Sequence, residues 1–224
     1  MGGVTEESTS GPQGGGRAFY RRPVIEVARD LLGATLVRRT SDGVVTLRIT
    51  EVEAYDGAND PGSHAFRGPT RRNETMFGEP GRLYVYRHLG LHHCANVVCG
   101  PAGTGAAVLL RAGEVTGGVA LARDRRLASG VARTDRDLAR GPARLTVALG
   151  LDLADDGADV TDPDGAVAVM PAATPATVLA GPRVGVSGNG GRADLFPWRF
   201  WLDDEPTVSV YRPAPPPRRL PPVT

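Results

Sequence analysis

The stretch from residue 34 to residue 55 constrains this chain more than any other. ATLVRR is a β-run, Ser41-Asp42-Gly43 is turn chemistry, and VVTLRITEVEAY is a second, longer β-run. Two such runs about a glycine-containing turn make a hairpin and commit the chain to antiparallel pairing. RLYVYRH, a turn at Gly90, LHHCANVVC and GAAVLLRAGEV continue the series, and VAVMPA, RVGVS, WRFWL and TVSVYR extend it toward the C-terminus. Helical spacing is confined to a few places. Val24, Val27, Ala28, Leu31 and Leu32 follow Pro23 and stop at Gly33; residues 119–131 and 133–150 also read as helical, the latter broken at Gly141-Pro142. Strands joined by turns, with helices between them, predict an α+β fold. The expected architecture is a single domain with a curved, mainly antiparallel sheet, helices packed around it and a protruding hairpin.

The ends set the domain limits. Residues 1–16, MGGVTEESTSGPQGGG, have the composition of a disordered tail, and residues 213–224, PAPPPRRLPPVT, suit polyproline geometry. The folded domain is expected over 17–212. Hydrophobic residues make up 41% of the chain, enough for a core, and no apolar run is long enough to cross a membrane. The N-terminus lacks the charged-then-apolar pattern of a secretory signal, and Cys94 and Cys99 are too few for a disulfide framework. A cytoplasmic location is expected. All 26 basic residues are arginine, so no side-chain amine exists to form a Schiff base; only the terminal amine of Met1 remains.

The strand from Val44 carries an anomaly. Under strict alternation one face reads Val45, Leu47, Ile49, Glu51, Glu53, Tyr55. A core face that ends in two acids and an aromatic predicts a sheltered carboxylate at Glu53, suited to act on water as a general base. An ion pair with one of the arginines, or a strand end that has left the core, would read the same way. Nearby, Tyr84, Tyr86 and His88 share one face of RLYVYRH, and only five tyrosines exist in the chain. Beside a carboxylate such rings form a slot for a flat base, or they simply pack the sheet. Residues 56–81 are too long for an idle connection. Arg67, Arg71 and Arg72 of that stretch, with Arg82, Arg87 and Arg111, outnumber Glu74 and Glu79 and suit a polyanionic backbone. A sheltered acid, an aromatic slot and an arginine rim are the parts needed to act on an extruded nucleic-acid base.

These residues resemble the alkyladenine (3-methyladenine) DNA glycosylases of the methylpurine type. EVEAYDG, SHAFRGPTRRNETMF, PGRLYVYRHLG, CANVVC and AVLLRAGE carry the resemblance, with DLARGPARLTVALGLD, RVGVS and WRFWL beyond them, from about Arg22 to Arg212. It implies that Glu53 is the catalytic base and that Arg111 helps place the attacking water. It implies that Tyr55, His64 and Tyr86 enclose the base and that Asn96 crowds the exocyclic amine of normal guanine. The sequence departs from the family at the hairpin tip, where an aromatic wedge is common: Leu89 falls at the wedge position and is the expected intercalating residue. Arg67, Arg71, Arg72, Arg82 and Arg87 are the expected backbone contacts. The implied activity is monofunctional: an alkylated or deaminated purine such as hypoxanthine is flipped from double-stranded DNA and hydrolysed off, leaving an abasic site. No cofactor is expected, and the protein is expected to be a monomer at the bacterial nucleoid.

The cluster His88, His92, His93 and Cys94 is not read as a metal site. Adjacent histidines on a strand face opposite sides, and the cysteines are not a C-x-x-C pair. Two other functions use part of the same pattern. A non-catalytic DNA-binding module would not need Glu53, and a hydrolase of free nucleosides would not need the arginine-rich loop.

Overall fold

A computed structural model describes residues 16–172 and 177–215 of the chain. The Gly-rich tail, but for Gly16, and residues 216–224 of the Pro-rich tail lie outside the described residues. The fold is α+β. Two short helices, α1 (Arg17–Tyr20) and α2 (Val24–Asp30), lead into the hairpin of β1 (Thr35–Thr40) and β2 (Gly43–Asp56). A long loop follows, with one-turn 3-10 segments at Gly57–Asn59 and Glu74–Phe77. Then come β3 (Leu83–His88), β4 (His92–Cys99) and β5 (Ala106–Gly117). Helices α3 (Val119–Ala128) and α4 (Pro142–Leu149) precede β6 (Val167–Met170), β7 (Val178–Gly181) and β8 (Arg199–Leu202).

The eight strands form one sheet in the order β3-β4-β5-β2-β1-β6, and β8 joins at β2 and carries β7. Every described pairing is antiparallel. Strand β2 is the axis: one edge pairs with β5 along its length, while the other is shared by β1 and then β8. One side of the sheet holds the main core. Val27 and Ala28 of α2 with Leu31 at its C-cap, Leu145, Ala148 and Leu149 of α4, and Leu83, Val85, Val97, Val108 and Leu110 of the sheet all belong to it. Proline at the first position and a left-handed Gly150 (φ 67°) bound α4.

Four local expectations are revised. The helix anticipated over 133–150 begins only at Pro142, after a 3-10 turn at Asp135–Asp137. Arg140 bridges to Ala112 of β5 instead, and the Ala139 carbonyl accepts from the Gly113 N–H. RVGVS is a loop: Arg183 is drawn into a buried ion pair and Gly185 has φ 70°. TVSVYR is irregular, because the Ser209 N–H donates to the Glu51 carboxylate rather than to a neighbouring strand. The strand β7 was not anticipated at all.

Candidate active site

A defect in the ladder creates the site. Ile49 pairs with Gly113 and Glu51 with Ala112, so Thr50 is an extra residue in β2; Val52 then pairs with Leu110, so Arg111 is an extra residue in β5. These back-to-back bulges shift the alternation by one. Val45, Leu47 and Ile49 belong to the main core, but so do Val52 and Ala54, an odd step further on. Glu53 therefore does not share the face of Val45, Leu47 and Ile49, as strict alternation requires. It faces the other side of the sheet, where a cavity lies. Bulges commonly re-aim side chains beside functional sites, and this one turns Arg111 toward two carboxylates.

The cavity encloses about 370 Å³, within the range of about 300–1,000 Å³ usual for small-molecule sites. Sheet register builds its floor. Glu53 pairs with Leu109, Leu109 with Asn96, and Asn96 with Tyr84, one row across four strands, and all four line the cavity. The Asn96 amide donates to the Tyr84 carbonyl at 3.1 Å. Tyr86 and Cys94 pair in the next row and also line it.

Glu53 has no exposed surface, and both of its carboxylate oxygens have polar partners. Its Oε1 accepts from the Val184 N–H at 2.7 Å and lies 3.3 Å from Arg111 Nη1; its Oε2 accepts from the Tyr55 hydroxyl at 2.8 Å. Burial, then the negative charge of Glu53, pushes the Tyr55 phenol well above its usual range, so Tyr55 remains a donor at neutral pH. Arg111 also donates from Nε to Glu51 at 2.9 Å. Burial alone would lower the Arg111 pKa, but Glu53 and then Glu51 outweigh it and the guanidinium stays charged.

Behind Tyr55 lies Arg183, which sequence reasoning did not single out. It is almost fully buried and forked onto Asp60 at 2.5 and 2.7 Å, and it donates to the carbonyls of Ala54 and Gly190. Its guanidinium lies 4.5 Å from the Tyr55 ring centre. Arg183 thus fastens the loop after β2, β2 itself and the loop over the cavity to one another, and its neighbour Val184 supplies the amide on Glu53. A backbone donor leaves no mark on residue type, so Val184 was invisible in the sequence. Arg183 stood in a motif of the resemblance but read as a strand residue.

The structure brings Tyr55, His64, Tyr84, Tyr86 and His88 together around the cavity. Tyr84 and Tyr86 stack at 5.5 Å between centres, and the His64 ring meets Tyr86 edge-on at 4.5 Å. Burial, then the charges of Arg72 and His88, lowers the His64 pKa and favours neutral imidazole. Burial pushes the Tyr84 phenol up to about 12.

The rim residues divide. Arg72 lies 5.7 Å over the Tyr86 ring and donates to the Arg87 carbonyl, which ties the loop to the hairpin; Arg67, Arg71 and Arg87 are exposed near by in sequence. Arg82 is placed elsewhere in its contacts, donating to the Gly157 carbonyl with Asp159 at 3.7 Å. Leu89 stands at the hairpin tip, 81% exposed, with Leu91 76% exposed beside it. Among the described residues no group of three or more His, Cys, Asp or Glu is arranged to hold a metal, and no helix is long and apolar enough to cross a membrane.

The family profile described as methylpurine-DNA glycosylase (MPG) matches residues 18–206. A protein of Streptomyces avermitilis is 56% identical over 206 residues, covering 91% of this chain and 94% of its own. One of Leifsonia xyli subsp. xyli is 58% identical over 199 residues, covering 88% and 92%, and one of Mycobacterium tuberculosis is 46% identical over 193 residues, covering 84% and 89%. All three bear the name "Putative 3-methyladenine DNA glycosylase". A match along nearly the whole folded chain, joined to a sheltered carboxylate beside an aromatic cavity, places this protein in the methylpurine-DNA glycosylase family.

Proposed function

We propose that the protein, one domain over 17–212 acting as a monomer, excises alkylated or deaminated purines from double-stranded DNA and leaves the phosphodiester intact. The observation that carries this reading is the setting of Glu53: fully buried, lining a cavity of about 370 Å³, and oriented through both oxygens by Val184, Tyr55 and Arg111. In this reading the damaged nucleotide is flipped into the cavity, where Tyr55, Tyr86 and His64 enclose its base. Such extrusion is how an enzyme reaches a base otherwise held in a duplex. Asn96, fixed by the Tyr84 carbonyl, crowds the exocyclic amine of guanine. Leu89 fills the gap in the stack, as apolar wedges do. Arg67, Arg71, Arg72 and Arg87 neutralise phosphates along the rim, and Arg82 joins them on release from Asp159.

Glu53 takes a proton from a water as that water attacks C1′ on the side opposite the base. Its remaining negative charge stabilises the oxocarbenium character of the sugar, and Arg111 holds water and carboxylate in register. An N3- or N7-alkylated purine is cationic and leaves without further protonation. The absence of lysine from the chain supports hydrolysis without strand cleavage by a side-chain Schiff base.

The test is Glu53→Gln on duplexes holding a methylated purine or hypoxanthine, followed by alkali. Excision should fall by a factor of about 10² or more, the scale of a lost general base, with duplex binding kept. Excision at the wild-type rate would remove Glu53 from the mechanism. Release of base from a free methylated nucleoside at a rate matching that from the duplex would point to a nucleoside hydrolase.

A further inference from the structure

A second cavity, of about 500 Å³, adjoins the first and shares Arg111, Pro142 and Val184 with it. Its charged lining has one sign. Arg111, Arg140, Arg144 and Arg212 border it, and no acidic residue is among the described residues that do. Arg111 is neutralised by Glu51 and Glu53. The other three are not matched in this way. Arg140 uses its Nε on the Val208 carbonyl at 2.8 Å. Arg144 is half-exposed and 3.9 Å from the Asp137 carboxylate, a long and weak pair. Arg212 is exposed and has no carboxylate partner among the described residues. The start of α4 forms the same wall: Gly141, Pro142 and Ala143 line the cavity, and Gly141 caps the helix with no side chain. The first N–H groups of a helix have no partner within it and favour an anion.

Unmatched cations around one cleft repel each other unless a ligand brings negative charge. The position says which ligand. If a base occupies the first cavity with its C1′ at Glu53, the phosphates of that nucleotide lie about a sugar's length away, at the wall the two cavities share. We infer that the second cavity is a phosphodiester site for the strand carrying the damaged nucleotide, read by Arg144, Arg212, the free end of Arg140 and the α4 amides. This rests on the base-pocket reading of the first cavity. It puts a cationic wall on α4 and the C-terminal segment, apart from the arginines of the 56–81 loop and the hairpin.

The test is equilibrium binding of an undamaged duplex across a salt series. Each phosphate contact contributes about 0.9 to the slope of log affinity against log salt. Arg144→Gln with Arg212→Gln should lower that slope by about two and weaken binding at least tenfold near 0.1 M salt. Arg144→Lys with Arg212→Lys should restore most of the slope. Arg21→Gln with Arg29→Gln, exposed positions that line neither cavity, should change it little. An unchanged slope in the Arg144/Arg212 glutamine variant, with the wild type binding normally, overturns the phosphodiester site alone. A wild-type chain that fails to bind duplex DNA even at low salt overturns the glycosylase reading and this site with it.

Discussion

Leu89 shows how one residue trades stability for exposure. It has φ 49° and is followed by Gly90 at φ 71°, so both central residues of the tight turn are left-handed. Asparagine suits the first of these positions; a branched apolar side chain there costs about 1–2 kcal/mol. The same side chain is 81% exposed, which gains nothing from burial. No contact within the folded chain offsets that strain, which fits the wedge role proposed for Leu89. Leu89→Asn is expected to raise stability by up to about 1 kcal/mol in denaturant unfolding while weakening binding to duplexes holding an abasic analogue. Leu89→Tyr should tighten that binding, because an aromatic ring fills the vacated stack better. A Leu89→Asn variant that binds as tightly as wild type would separate the tip from the DNA. Glu53 was legible at this scale, since an acid at the end of an apolar strand is conspicuous. Its partners Val184 and Arg183 were not, because a backbone amide and a distant loop arginine reach it only through folding.

Strand β2 teaches a different lesson. Its hairpin with β1, its length and its antiparallel pairing all follow from alternation and the Ser41-Asp42-Gly43 turn. Its register does not, because a bulge is a property of two paired strands and neither strand reveals it alone. The expectation that Glu53 is sheltered agrees with the structure, but strict alternation put it on the core face, and the bulges at Thr50 and Arg111 put it on the other. A one-residue shift sends every later side chain to the opposite face. Deleting Thr50 removes the extra residue, so alternation runs unbroken from Ile49 and still leaves Val52 and Ala54 in the core and Glu53 on the cavity side, while the hydrogen bond between Thr50 and Thr207 is lost and the Arg111 bulge of β5 stands without its counterpart. The expected outcome is a chain that still unfolds cooperatively but at a lower temperature, read by thermal unfolding. A deletion variant that does not unfold cooperatively would show that the bulge does more for the fold than set the face of Glu53.

Across the whole molecule, Glu51 is the residue that ties distant segments to the site. It accepts from Arg111 of β5, Arg199 of β8 and both the amide and hydroxyl of Ser209, at 2.6–2.9 Å. Burial raises its pKa, but Arg111, then Arg199 and Ser209, outweigh burial and bring the net value below the usual 4.5. Folding thus lowers the pKa, so the stabilising effect is complete above about 4.5 and fades as pH drops through the folded value. Glu51→Gln leaves two buried guanidinium groups short of a counter-charge and should cost about 3–5 kcal/mol at neutral pH. The gap to wild type should narrow below pH 4.5 in urea unfolding. A gap that does not change with pH would show that Glu51 acts through packing rather than charge. The amino-acid sequence by itself determined the α+β class, the antiparallel hairpins, the arginine-only cation set and the identity of the acid and aromatic residues, because turn chemistry, periodicity and composition are local properties. Only the tertiary structure decided which face of the sheet those residues occupy, which amide and hydroxyl hold Glu53, and that a second arginine-lined cleft opens beside the first. Each of these depends on pairing between segments far apart in the chain, and no local pattern encodes it.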